Sequence, residues 1–145
     1  MSPDENRTFH SALAIADMVR HRVVRELMPA TGLSAAEYIV LDRLHYSPDH
    51  TYAGLKAMAA KMHWSPSRLS HQLSRMEKRG LLVREQADKA SRVIITLTDH
   101  GKEITRHAVL VHADAVRRYL LTHLTEEEAA TLNAMADRLR EAPGG

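Results

Sequence analysis

Apolar residues recur at three- and four-residue intervals along most of this chain, which predicts a largely helical protein. Phe9, Ala12, Leu13, Ala16, Val19, Val23 and Leu27 form one stripe, so a first helix is expected from about Phe9 to Met28. Pro29 to Leu33 is expected to break it, with Gly32 as the turn residue. Ser34 followed by Glu37 is a capping box, opening a second helix that carries Tyr38, Val40, Leu41 and Leu44 to about Tyr46. Ser47, Pro48 and Asp49 stop it. Gly54 to Met62 reads as a short third helix with Leu55, Met58, Ala59 and Met62 inward, and His63 and Trp64 make the turn into a fourth. There Ser65 suits the N-cap and Pro66 the first helical position, where a missing N–H costs nothing. Leu69, Leu73 and Met76 share a face, and Gly80 ends the helix.

The period then changes. Leu81 to Arg84 and Val93 to Leu97 read as two strands around a loop from Glu85 to Arg92. Thr98 caps a long fifth helix from about Asp99 to His123, with Gly101 tolerated in its first turn. At about 25 residues it spans nearly 40 Å, too long for one small domain to cover. Thr125 and Glu128 form a second capping box, and Ala129, Leu132, Met135, Ala136 and Leu139 make the stripe of a sixth helix.

Two short helices joined by a tight turn, with a strand hairpin behind them, are the layout of a winged helix-turn-helix. The expected fold is therefore mainly α with a small β-hairpin wing: a DNA-binding winged helix-turn-helix region plus an α-helical dimerisation region. The outward side of the Ser65 helix carries Ser67, Arg68, Ser70, His71, Gln72, Ser74 and Arg75, a set rich in donors and short of carboxylates. Charge supports the same reading. The net charge is +2 over 145 residues, yet the segment from Lys61 to Arg92 holds eight basic and three acidic residues. Its +5 leaves −3 for the rest, a basic middle suited to a polyanion.

The apolar stripes of the first, fifth and sixth helices exceed what one winged helix can hide, which implies an identical partner and a two-fold dimer. The chain has no cysteine, so disulfides, thiolate metal sites and thiol redox sensing are excluded. The opening MSPDENRTFHSA has no signal-like apolar run and no later segment is long enough to span a bilayer, so no membrane role and a cytoplasmic location are expected. There is no Gly-rich phosphate loop, nucleophile elbow or HExxH, so an enzyme is not expected.

Helix order, the RMEKRGLLVRE junction from Arg75 to Glu85 and the ITLTDHG step from Ile95 to Gly101 resemble the MarR family of bacterial transcription regulators. The resemblance covers about residues 9 to 140 and is most specific over Ser67 to Arg84 and Val93 to Gly101. It implies one MarR-like domain over 1–145, with 9–30 and 99–140 as the helical dimerisation region and 34–98 as the winged helix-turn-helix. It also implies homodimers on pseudo-palindromic operators of double-stranded DNA, mostly repressors, many released by small phenolic or other anionic aromatic effectors. The wing departs from the family's aspartate closely followed by two arginines. Counting back from Leu97 and Thr98, Ser91 stands where the first arginine belongs, and Asp88 is one place early.

Base reading is assigned first to Arg68, whose guanidinium can grip guanine O6 and N7 together, and then to Ser67, His71 and Gln72. Ser65, Ser70, Arg75 and Arg79 are placed for phosphates; Arg79 alternatively fixes the wing to the helix. Lys89 and Arg92 are the wing's candidates for the minor groove. Arg20, His21, Tyr38 and His45 are candidate effector contacts, although Arg20 equally suits a salt bridge. Trp64 reads as packing within the helix-turn-helix. Ten histidines invite a metal-responsive alternative, but His107 and His112 are five apart, off the chelating spacing of three or four, so neither a metal site nor a cofactor is expected. A winged helix that binds proteins as an adaptor is the other alternative.

Overall fold

A computed structural model of the chain describes residues 1–87 and 92–142. Its helices are α1 (Pro3–Thr31), α2 (Ala35–His45), α3 (Leu55–Lys61), α4 (Pro66–Lys78), α5 (Asp99–Tyr119) and α6 (Glu126–Glu141), and its strands are β1 (Thr51–Ala53), β2 (Leu82–Gln86) and β3 (Val93–Leu97). Two compact units emerge. One is Leu27–Val111; the other joins Met1–Glu26 to the chain from His112 onward. Their boundaries fall inside α1 and α5.

The unit Leu27–Val111 owns the core. Leu27, Leu33, Leu41, Leu44, Met58, Leu69, Leu73, Met76, Leu81, Leu82 and Ile95 are almost fully buried in one cluster. The inward stripes read from the sequence on α2, α3 and α4 all arrive there. Ser34 and Glu37 form the expected reciprocal cap, each side chain taking the other's backbone N–H. Gly32 and Gly80 both adopt positive φ, +71° and +70°, the left-handed turn that lets a chain leave a helix without Cβ strain.

Several boundaries differ from the sequence reading. Helix α1 starts earlier and continues through Pro29 to Thr31, where Gly32 ends it. Near a helix end a proline forfeits one N–H bond without having to stop the helix. Strand β1 was not foreseen, because three residues are too few to show alternation. It pairs antiparallel with β3, Tyr52 opposite Ile95, and β3 pairs antiparallel with β2, Arg84 opposite Ile95, so the sheet order is β1-β3-β2. Helix α5 ends at Tyr119, and Leu121–His123 form a separate 3-10 turn.

Gly101 proves to be required rather than tolerated. A Cβ there would collide with the Leu81 carbonyl oxygen. Its amide donates to Thr98 Oγ1 at 2.9 Å, and that hydroxyl donates to the Gly80 carbonyl at 2.5 Å. The close approach thus locks the start of α5 onto the end of α4.

In the other unit, Val23 and Ala115 are buried while Phe9, Leu13, Ile15, Met18, Leu121, Leu132, Met135 and Leu139 remain exposed. Ile15, Leu120, Leu124, Leu132 and Met135 line an open apolar groove of about 590 Å³. A polar network sits nearby in sequence: Arg118 bridges Glu26 (2.8 Å) and Asp114 (2.5 Å), and the Tyr119 hydroxyl donates to Glu26. Among the described residues, no helix is long and apolar enough to cross a membrane.

Candidate nucleic-acid interface

The turn between α3 and α4 is built by local chemistry. His63 takes a positive φ of 54°, and the Trp64 N–H returns to the Ala59 carbonyl at 2.9 Å. Ser65 caps α4 by accepting the Arg68 N–H at 3.1 Å, and Pro66 occupies the first turn. Leu69, Leu73 and Met76 anchor α4 in the core, and this fixes its outward face. Ser65, Ser67, Arg68, His71, Arg75 and Lys78 are exposed there, while Ser70 and Ser74 are half-buried.

Gln72 does not share this face. Expected outward, it is only 4% exposed, because it lies three residues from Leu69 and four from Met76 and so belongs to the inward stripe. Its Oε1 accepts from Arg75 Nη2 at 2.6 Å, so it orients Arg75 rather than facing solvent.

Arg79 turns away from a wing-fixing role. Its Nη1 donates to buried Glu37 Oε1 at 2.6 Å, and both Nη atoms reach the Gly32 carbonyl at 3.3–3.4 Å. It therefore ties the end of α4 to the turn before α2, with its charge matched by Glu37. The fastening of the wing falls to Arg84 on β2, which the sequence reading missed. Arg84 reaches Glu77 Oε2 with both Nη2 (2.8 Å) and Nε (3.1 Å), and its backbone N–H meets Glu77 Oε1 at 2.9 Å. The same Nη2 donates to Ser74 Oγ at 2.9 Å. These hydrogen bonds hold the Glu77 carboxyl below the ordinary carboxylate range. Glu77, an acid on α4, is thus neutralised locally.

On the wing, Arg92 is exposed just before β3, and its carbonyl accepts the Ala87 N–H at 2.9 Å. Lys89 lies outside the described residues.

The candidate effector residues divide between the two units. Arg20 and His21 line an open depression of about 470 Å³ with Asp17 and Val24, and Arg20 pairs with Asp17. Tyr38 is buried in the core of the other unit and donates to Asp42 Oδ1 at 3.1 Å. Burial first, then the Asp42 charge, pushes its phenol well above the usual range. The His45 ring stacks on His50 with centroids 5.6 Å apart, and His50 Nδ1 lies 3.1 Å from the His45 carbonyl. Among the described residues, no group of three His, Asp or Glu is arranged to hold a metal ion.

A short helix, a tight turn, a second helix with a polar outward face and an antiparallel hairpin pinned behind it define the winged helix-turn-helix class. Comparison with known proteins narrows that class. The profile of the MarR family matches residues 33–94. The "HTH-type transcriptional repressor MdtR" of Bacillus subtilis (strain 168) is 30% identical over 118 residues, 81% of this chain and 74% of that protein. AbsC, a MarR family transcriptional regulator from Streptomyces coelicolor, superposes with a TM-score of 0.87 at 28% identity over 98% of both chains. Sco3205 from the same organism, a MarR family transcriptional regulator solved in complex with DNA, gives 0.89 at 27% identity over 99% of this chain and 92% of its own. The chain belongs to the MarR family.

Proposed function

We propose that this MarR-family transcriptional regulator represses its targets by binding a pseudo-palindromic operator in double-stranded DNA as a homodimer. The unit Leu27–Val111 supplies the reading head, with α4 in the major groove and the β2–β3 wing beside it. The helices of the other unit supply the dimer contact, since their apolar side chains lack cover within the subunit. Both Sco3205, solved with DNA, and the repressor MdtR support the reading. The observation that carries it is the outward face of α4: Ser67, Arg68, His71, Arg75 and Lys78 are exposed, and Glu77 is engaged by Arg84.

Within that face Arg68 reads a base, with Ser67 and His71 as lesser readers. Ser65, Ser70 and Arg75 meet phosphates, and Arg92 or Lys89 enters the minor groove. A small anionic or phenolic effector relieves repression by favouring a spacing of the two reading heads that no longer matches successive major grooves. Arg20, His21, Tyr38 and His45 remain the candidates for contacting it, and the cytoplasm is where such a regulator meets DNA.

Binding of the purified full chain to fragments of its own genome tests the proposal. Arg68→Ala is expected to cost about 1–3 kcal/mol on the operator and to blur one base position. Arg75→Ala weakens all sequences alike and lowers the salt slope by about 1. A footprint should show two half-sites about one helical turn apart. Normal operator binding by Arg68→Ala overturns the docking of α4. Salt-insensitive pairing with a protein, and none with DNA, overturns the whole.

A further inference from the structure

We propose that Trp64 is a positioning residue for base recognition: its indole face holds the Arg68 guanidinium in place at the leading end of α4 before DNA arrives. The inference rests on the reading of Arg68 as a base reader.

Four arginines lie between residues 68 and 84, and the structure spends three of them. Arg75 is bonded to Gln72, Arg79 to Glu37 and Gly32, and Arg84 to Glu77 and Ser74. Among the described residues, the Arg68 side chain makes no hydrogen bond or ion pair. Its Cζ instead lies over the Trp64 ring, 4.0 Å from the centroid. An aromatic face attracts a guanidinium without using any of its N–H donors, which lie at the edge of the cation. Those donors stay available for a bidentate contact with guanine O6 and N7.

Both members of the pair are anchored. Trp64 packs against the core and returns its N–H to Ala59, and the Arg68 backbone is fixed by the Ser65 cap. A long, solvated arginine loses its rotameric freedom when it grips a base, and a stacked one has already lost part of it. Trp64 thus acts on the selectivity of one base position rather than on affinity at large.

The test is selection from a random-sequence duplex pool by the full-length wild type, Arg68→Ala, Trp64→Leu and Trp64→Phe, with base preference read at every position. The position that loses its preference in Arg68→Ala is the base Arg68 reads. There, Trp64→Leu is expected to lower the preference about two- to fivefold, the range open to an exposed cation–aromatic contact. Other positions should keep their preferences, and Trp64→Phe, which retains an aromatic face, should keep most of this one. If Arg68→Ala alters no position, the base-reader assignment itself fails. If Arg68→Ala erases one position and Trp64→Leu leaves it at full strength, Arg68 stands as reader and the platform is overturned. An even loss over all positions in Trp64→Leu also overturns it, by making Trp64 merely structural.

A second measurement needs no change at Trp64. It is the sole tryptophan of the chain, so acrylamide quenching of intrinsic fluorescence reports on that indole alone. Removing the guanidinium in Arg68→Ala, an exposed site where folding is little affected, should raise the quenching of the free protein. Unchanged quenching overturns the proposal.

Discussion

The unit Leu27–Val111 and the unit formed by the two ends of the chain use similar residues to opposite effect. In the first, leucines and methionines from α2, α3, α4 and the sheet converge with Leu27, Leu33 and Leu81 until they are all but sealed from water. In the second, leucines and methionines recur at the same helical spacing, yet among the described residues only Val23 and Ala115 are buried, and larger apolar side chains such as Phe9, Leu13, Leu132 and Leu139 stay exposed. Apolar periodicity states which face of a helix seeks cover. It does not state whether the cover comes from the same chain. The first unit answers internally, because β1, the wing and three short helices surround one point. The second leaves its apolar faces uncovered in the single chain, which is why we propose it for dimerisation.

The largest expected effect separates the two cores. Leu41→Ala opens a cavity in a site with no exposure and is expected to cost about 2–5 kcal/mol in chemical denaturation. Leu132→Glu should leave helical content intact and weaken self-association about thirtyfold or more, since a buried leucine at a contact carries ~2 kcal/mol. Leu132 is 42% exposed in the single chain, and sedimentation read against concentration is the check. Unaltered association would remove α6 from the interface.

Matched caps sharpen the contrast further. Ser34→Ala and Thr125→Ala each delete half of a capping box, worth about 1 kcal/mol to the helix it opens. Loss at Ser34 should lower the stability of the whole Leu27–Val111 unit, because Glu37 is buried and also holds Arg79. Loss at Thr125 should appear mainly as faster amide exchange at the start of α6, where the surrounding residues are exposed.

The smallest effect is on pH. Arg84 holds the Glu77 carboxyl below its ordinary value in the folded chain, so the unfolded chain takes up that proton first as acid is added. The pair's contribution is present above the ordinary carboxylate range and is lost as pH falls through the lowered folded value. Glu77→Gln should therefore flatten the acid limb of stability, from the ordinary carboxylate range downward, modestly, because both side chains are partly solvated. A slope identical to wild type would remove Arg84 as the wing's fastening.

What was legible in advance follows one physical rule. Signals carried by neighbours three or four residues apart, such as the capping boxes at Ser34 and Thr125, the Ser65–Pro66 start and the Gly32 and Gly80 stops, survive folding because their partners are local. The exposed face of α4 was readable for the same reason, apart from Gln72, which sits at the margin where a polar residue joins an apolar stripe. The Arg84–Glu77 strut joins a strand to a helix, and the Arg79–Glu37 pair joins residues 42 apart in the chain. Neither leaves a periodic trace.

By itself, then, the sequence determined the order of the helices, their capped starts, the inward stripes and a basic helix presented to solvent. These depend on short-range backbone hydrogen bonding and on which face of a helix is apolar. Only the tertiary structure decided which arginines are already bonded within the chain, and why Gly101 cannot carry a side chain. Contacts across the core fix those outcomes, and a charge or a glycine read in one dimension does not reveal what will stand opposite it.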